Sequence, residues 1–436
     1  MAVIPSTIRQ YPKWAYMKPR DLGNGLVLRN ATREDVPAAL DLLKAVHSED
    51  IMRSTAPWFE KHPWMSFDDI FIVEDAKTGK VVSHAIQLPG TWILDGLEVP
   101  MIQMEVVGTR AQYRYQGLMK AINTAYDERA EKVKPVFQAV AGIPYFYREL
   151  GYEYAVPMES GFYTAPSLIP DLPEGQREAI SIRETDLESF LEWLEFRKDH
   201  FPKRTWLKGL GQEDFEYHAF DECKRRNEAF TFCLVEDGGE VAGVFYYMWS
   251  EEDYLEVGEL YLLDCKYADA VLRHIKNLAA SLGGVTFEIR PPNQPEVYEY
   301  IRAKSRSTPA GTYMWYVKIP SIPRFLLALK EHIHLRLQNT DFERYTGQLT
   351  LTNYKEGFTL SFENSHLLDV TPNTNRDYEQ YYDLRIPKGP LVKLLMGHST
   401  FDWLKQYDPD IQCKAAKRPL VRALFPKLRA SIDPFY

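Results

Sequence analysis

Short apolar runs punctuated by turn residues dominate the first third of the chain. Leu26-Val27-Leu28-Arg29-Asn30 reads as a strand. Thr32, with Glu34 and Asp35 behind it, marks a helix start whose first turn is acidic, and the helix runs to about His47. Residues 69–75 (DIFIVED) and 81–87 pattern as the two strands of a hairpin around the turn AKTGK. Pro89-Gly90 breaks the alternation, and Leu94-Asp95-Gly96-Leu97 predicts another tight turn. Met101 to Val107 is a β-prone run. Ala121, Ile122, Ala125 and Tyr126 then fall at helical spacing within residues 120–133. Residues 135–141 predict a strand, and residues 144–150 a short helix ending at Gly151-Tyr152.

Residues 164–175 (TAPSLIPDLPEG) carry three prolines and read as a linker. After them the pattern begins again. Ile180-Ser181-Ile182-Arg183 echoes Leu26-Val27-Leu28-Arg29, and residues 232–241 echo the first hairpin. Residues 254–263 (YLEVGELYLL) stand where the Met101 strand stood, so the fold is duplicated within the chain. Residues 314–320 then read as the last strand of the second copy, with a connecting helix over residues 321–331. The remainder changes rhythm. Alternating runs at 347–352, 358–363 and 367–371 predict an antiparallel sheet, followed by helical stretches at 389–396, 399–405 and 417–424.

Length and charge narrow the function classes. At 436 residues the chain exceeds one ordinary core, and two or three domains are expected. A net charge of −9 argues against nucleic acid as the main partner, which needs a basic face. Cys223, Cys233, Cys265 and Cys413 lie far apart, so no zinc or redox pair is expected. No apolar run approaches membrane length. A soluble, cytoplasmic protein follows as the expectation.

The chemistry concentrates between the Met101 strand and the helix after it. Gly108 and Thr109 open a polar turn that continues through Arg114-Tyr115-Gln116-Gly117-Leu118-Met119. A strand, a turn holding an Arg and a Gly, and then a helix N-terminus can hold phosphate, because free backbone N–H groups and the helix dipole point at the anion. Gly117 admits a close ligand, and Arg114 adds a charged fork. The corresponding turn of the second copy, DCKYADAVLRH, has no glycine, so that copy is expected to hold no cofactor. His332-Ile333-His334 offers two imidazoles on one side of a strand without a third ligand nearby, and packing explains them. Glu251-Glu252-Asp253, with Glu256 and Glu259, reads as a solvated acidic face.

The hexapeptide from Arg114 to Met119 resembles the R/Q-x-x-G-x-G/A motif of the GNAT acetyltransferase superfamily. Met119 departs from it, since Gly or Ala is usual there. Tyr147-Arg148-Glu149-Leu150-Gly151-Tyr152 resembles the F-Y-x-x-x-G-F/Y that follows the fifth strand of these enzymes. With the element order, the chain resembles the enhanced-intracellular-survival (Eis) family in particular. That resemblance implies an α+β class with mixed sheets: tandem GNAT folds, the first active and the second degenerate, then a sterol-carrier-protein-like domain. The domains would be 1–165, 176–320 and 321–436.

The resemblance also implies an acetyl-CoA-dependent N-acetyltransferase acting on a primary amine of a small cationic molecule or a lysine-like acceptor, without a metal. Val107, Gly108, Thr109, Arg114, Tyr115, Gln116, Gly117, Leu118, Met119 and Lys120 would hold the cofactor, with Gly142 and Ile143 as the other lip. Tyr147 is the expected acid, its alternative role being packing. The α-carboxylate of Tyr436 is the expected base, with Asp433 as the alternative carboxylate. Acceptor selectivity is expected in the loops around residues 58–68 and in the inter-domain cleft. A symmetric homo-oligomer, a hexamer among the options, is the expected assembly. Two other functions stay open at this point: an apolar-ligand binding protein, and a CoA sensor without turnover.

Overall fold

The computed structural model describes residues 17–158, 161–201, 203–211, 216, 230–250, 254–281, 286–289, 294–305, 308–309 and 313–432. The first module runs β1 (Arg20–Gly23), β2 (Leu26–Asn30), the helix Val36–Val46, β3 (Ile70–Asp75), β4 (Lys80–Leu94) and β5 (Leu97–Thr109). The helix Leu118–Val133, β6 (Phe137–Val140) and β7 (Glu153–Met158) complete it. The second runs β8 (Phe162–Thr164), β9 (Ile180–Glu184), the helix Leu187–His200, β10 (Thr205–Lys208), β11 (Thr231–Asp237), β12 (Glu240–Ser250) and β13 (Tyr254–Leu262). The helix Ala268–Ser281, β14 (Thr286–Ile289), β15 (Thr308–Pro309) and β16 (Tyr313–Lys318) follow. The third holds β17 (Gly347–Thr352), β18 (Gly357–Glu363), β19 (His366–Pro372), β20 (Leu384–Arg385), β21 (Gln412–Cys413) and β22 (Arg429–Ser431), with helices between and before them.

The predicted duplication is present, but its boundary is crossed. The first sheet is ordered β1-β2-β3-β4-β5-β6-β16-β7, so β16 lies between β6 and β7. It pairs antiparallel with both, Tyr316 opposite Val140 and Trp315 opposite Val156. The sequence pattern predicts this strand correctly and assigns it to the wrong sheet, because periodicity reports burial and not the partner. In return β8 leaves the first module and pairs with β14 in the second sheet, ordered β15-β8-β14-β13-β12-β11-β9. Thr164, placed in the linker by its neighbouring prolines, is therefore a buried strand residue whose hydroxyl donates to Ser305 O at 3.0 Å.

Pro89-Gly90 also differs from expectation, since β4 continues through it to Leu94. The proline is tolerated because β3 pairs with β4 only as far as Ile86 and β10 only from Trp92. Pro89 sits in the gap, where no ladder hydrogen bond is needed on that edge. His332 and His334 lie on the helix Lys330–Leu337 and not on a strand. His334 stacks on His366 at 3.7 Å and meets Ser365 Oγ at 3.0 Å, which accounts for it as packing. Residues 251–253 of the acidic stretch, Cys223, Asp433 and Tyr436 lie outside the described residues. No helix among the described residues is long and apolar enough to cross a membrane.

A ring cluster ties the modules together. Trp92 of β4 meets Phe137 of β6 at 4.9 Å, Trp315 of β16 at 5.8 Å and Trp206 of β10 at 6.4 Å. Trp206 donates its indole N–H to Met396 O at 3.1 Å, and Trp315 donates to Ile432 O at 3.0 Å, so the third module is held by the same rings. Buried aromatic pairs contribute about 0.5–1.5 kcal/mol each beyond their burial. At the far end of β16, Lys318 Nζ lies 2.7 Å from both carboxylate oxygens of Asp127 on the helix Leu118–Val133 and 3.1 Å from Leu150 O. Lys318→Met removes this tie and leaves Asp127 without its cation. The expected cost is about 1–3 kcal/mol, read as a lower urea midpoint; an unchanged midpoint would show that the strand is held by its rings alone.

Candidate active site

The first sheet splays open between two parallel strands. β5 and β6 pair only at Met101–Gln103 against Phe137–Ala139, after which β5 runs on to Thr109 while β6 ends at Val140. On its other side β5 bulges. Ile86 faces Glu105 and His84 faces Gly108, so one β4 residue opposes two, and Val106 takes a φ of 40°. A left-handed β-branched residue is strained, and such strain is held only where surrounding structure compels it. The result is a stretch of β5 backbone with no strand on its β6 side, an edge that an extended ligand can pair with.

The residues expected to hold a cofactor lie at the end of β5 and in the turn that follows it. Gly108 is buried against His84 and His47, and the His47 Nε2–H donates to Val107 O at 3.1 Å. Thr109 Oγ1 meets Ser83 Oγ at 2.7 Å. Arg114 Nε donates to Thr109 O at 3.2 Å, closing the loop, and Gln116 Nε2 donates to Gln112 O at 3.3 Å. Tyr115 is fully exposed at φ 63°. Gly117 caps the helix Leu118–Val133 at φ 76°, and a Cβ there would meet nothing, so the glycine serves conformation and approach. No side chain caps this helix, which leaves the N–H groups of Leu118, Met119 and Lys120 for a ligand. Leu118 is buried and contributes backbone alone, Met119 is half-buried, and Lys120 is exposed. The Met119 departure from the motif is thus a side chain turned partly into the core, beside the Gly117 turn.

Gly142 and Ile143 form the other lip, Ile143 being exposed. A Cβ at Gly142 would sit 2.2 Å from Tyr147 Cε2, so only glycine lets Tyr147 lie there. Tyr147 is 5% exposed and packs on Phe146, Tyr152 and Tyr316. Burial, and next the negative charge of Glu105, raise its pKa, so it stays protonated. Tyr316 of β16 holds this lip from behind: its hydroxyl accepts from Tyr145 N at 2.6 Å and donates to Ile143 O at 3.4 Å.

Sequence reasoning missed Glu105. It is 5% exposed at the bulge, accepts a close hydrogen bond from the Gln103 amide, and is pushed up to about 8, first by burial. The signal was available: Gln103 and Glu105 alternate with Ile102 and Met104 on a strand that is otherwise apolar, and a buried acid demands a reason. Their face of the sheet is that of Ile86, which packs with Trp58, Phe59, Met65 and Phe67 in the expected acceptor region. Lys208 from β10 lies near enough to influence both Glu105 and His62. The arrangement therefore offers an uncapped helix N-terminus, an open strand edge, a protonated phenol and, near enough to that phenol to raise its pKa, a buried carboxyl group pushed up to about 8.

Residues 27–155 match the family model described as an acetyltransferase (GNAT) domain. No curated protein sequence matches the chain. Among solved structures, a conserved protein of Enterococcus faecalis V583 described as a probable N-acyltransferase is similar at TM-score 0.67 and 14% identity, covering 94% of this chain and 100% of its own. A GCN5-related N-acetyltransferase from Anabaena variabilis is similar at TM-score 0.66 and 13% identity, with 93% and 99% covered. Eis1 from Mycobacterium abscessus is similar at TM-score 0.58 and 12% identity, with 93% and 99% covered. At these identities the likeness is one of fold, and it extends over nearly the whole chain. In sequence and in fold together, residues 27–155 are a GNAT-type acetyltransferase domain.

Proposed function

We propose that the chain transfers an acetyl group from acetyl-CoA to a primary amine, with the chemistry in the first module. The observation that carries this is the open edge of β5 at the Val106 bulge, leading to the uncapped helix at Gly117. The pyrophosphate would rest on the N–H groups of residues 116–120 with Arg114 beside it, and the pantetheine amides would pair along Val107, Gly108 and Thr109. Glu105 serves as base. It takes a proton from the ammonium, whose nitrogen then attacks the thioester carbonyl; a C–N bond forms, the C–S bond breaks, and the second proton shed by the nitrogen ends on the departing sulfur, so that CoA leaves as the thiol. Tyr147 donates a hydrogen bond to the departing thiolate. Its raised pKa lies far above a thiol's ~8.5, so full proton transfer is uphill and the hydrogen bond is its contribution.

A second base assignment keeps one supporting observation. Ile432 O is held by Trp315, two residues along β16 from Tyr313, and Tyr313 lies near Glu105 and Tyr147. The Tyr436 carboxylate, with Asp433 as its alternative, therefore keeps its place in the proposal as a second candidate base; both lie outside the described residues. The finer plan stays part of this proposal: a degenerate second GNAT module, a sterol-carrier-like third, a cytoplasmic homo-oligomer and a small amine acceptor.

Two experiments test the reading. Acetyl-CoA, a panel of small amines and a thiol reagent should show CoA release; Gly117→Glu should abolish both acetyl-CoA binding and release, and retained binding would contradict the loop assignment. With Glu105 as base, kcat/KM should rise tenfold per pH unit and level off near pH 8. Glu105→Gln should lower kcat by about 10²–10⁴-fold and remove that limb. A variant that keeps rate and limb would pass the role to the Tyr436 carboxylate.

A further inference from the structure

We propose that the second module keeps a closed copy of the same strand edge, with the Gln294 carboxamide seated where an extended ligand bearing two successive amides would lie. The two edges correspond residue by residue. Val106 and Glu259 occupy the same place in the bulge of their modules. Four residues on, Arg110 N donates to Val82 O and Leu263 N donates to Ala242 O, both at 2.9 Å. Further along, the Tyr113 hydroxyl donates to Asp75 at 2.7 Å and the Tyr267 hydroxyl to Asp237 at 3.1 Å. Leu262 is therefore the counterpart of Thr109. Backbone groups of successive strand residues face opposite sides, so with Leu263 turned to β12 the N–H and C=O of Leu262 face the splay. β14 does not meet them, because it pairs with β13 only as far as Val257.

Gln294 meets them instead. Its Nε2–H donates to Leu262 O at 2.8 Å, and its Oε1 accepts from Leu262 N at 3.1 Å. A carboxamide carries donor and acceptor side by side, so one side chain satisfies both backbone groups. The backbone that delivers it is anchored, since Gln294 O accepts from Tyr298 N at 2.9 Å at the head of the helix Pro295–Ser305. Gln294 comes five residues after Ile289, the end of β14, and directly before that helix. Tyr145 comes five residues after Val140, the end of β6, and directly before the helix Phe146–Glu149. At this place the first module therefore has a tyrosine that is 64% exposed, and Thr109 O is covered by the exposed Arg114 of the loop. A fitted amide closes one edge, where a long surface cation covers the other. The assignment rests on the β5 edge being a ligand site, and it adds that the N–H and C=O of Thr109 are the pair on which the ligand closes.

Pantetheine, which carries two amides and no phosphate, is the probe, titrated calorimetrically into the full chain with CoA saturating the first module. Wild type should give no heat. Gln294→Ala should take up one pantetheine and should speed exchange of the Leu262 N–H about tenfold, with pantetheine slowing it again. Gln294→Met keeps the length without the hydrogen bonds, so it should speed that exchange and bind nothing; it carries the test where the alanine variant fails to fold. Heat with wild type, Leu262 exchange that the variants leave unchanged, or a folded alanine variant that takes no pantetheine overturns the closed edge. Failure of CoA to bind wild type would instead sink the reading of the first module, and the Leu262 exchange is independent of it.

Discussion

The candidate cleft depends on one strand that comes from elsewhere in the chain. β16 arrives from the second module and fills the place between β6 and β7. Without it Val140 and Val156 would each face an unpaired edge, and Tyr316 would not reach the Ile143–Tyr145 backbone. The lip that carries Tyr147 is thus built by residues some 170 positions downstream of it. The exchange of β8 in the opposite direction makes the two sheets mutually dependent. Trp92, Phe137, Trp206 and Trp315 then seal the junction, and two of those indoles reach the third module.

The two modules share a framework and differ at the turn where a ligand site is proposed in the first. The bulge survives in both, Val106 at φ 40° and Glu259 at φ 43°, each beside a register shift between antiparallel partners. In the second module Glu259 is wholly buried and paired with Arg197 at 2.7 Å, and the Tyr246 hydroxyl lies against Gly258. Its following helix, Ala268–Ser281, opens behind a turn capped by Asp264 and carries Asp269 in its first turn. Acids at that end oppose phosphate electrostatically, where the Gly117 loop has none. Sheet curvature accounts for the shared bulge; the loop decides what it holds.

Local order was legible in the sequence, and partnership was not. The strand and helix at Met101–Val133, the glycine-capped loop, the hairpin at residues 69–87 and the repeat all follow from periodicity and turn chemistry. The sheet to which β16 belongs does not, because an apolar strand carries no address for its neighbour. Pro89 misled for a related reason: a proline breaks a strand only where its missing N–H is needed, and that depends on β3 and β10. Glu105 lay in plain view among apolar residues, yet the role proposed for it rests on the bulge and the neighbouring Tyr147, which only the fold brings together. Tyr147 was singled out by the likeness of Tyr147–Tyr152 to a family motif, whereas the close approach of Gly142 that admits its ring is visible only in the fold.

Hydrogen exchange with and without acetyl-CoA tests the central claim most directly. A cofactor seated at the splay should slow exchange along Val107–Thr109 and at the N–H groups of residues 117–120, and tighten the Ile143–Tyr147 lip together with β16. Amides of residues 263–271 in the second module should not change. Protection at the second loop, or none at the first, would contradict the account.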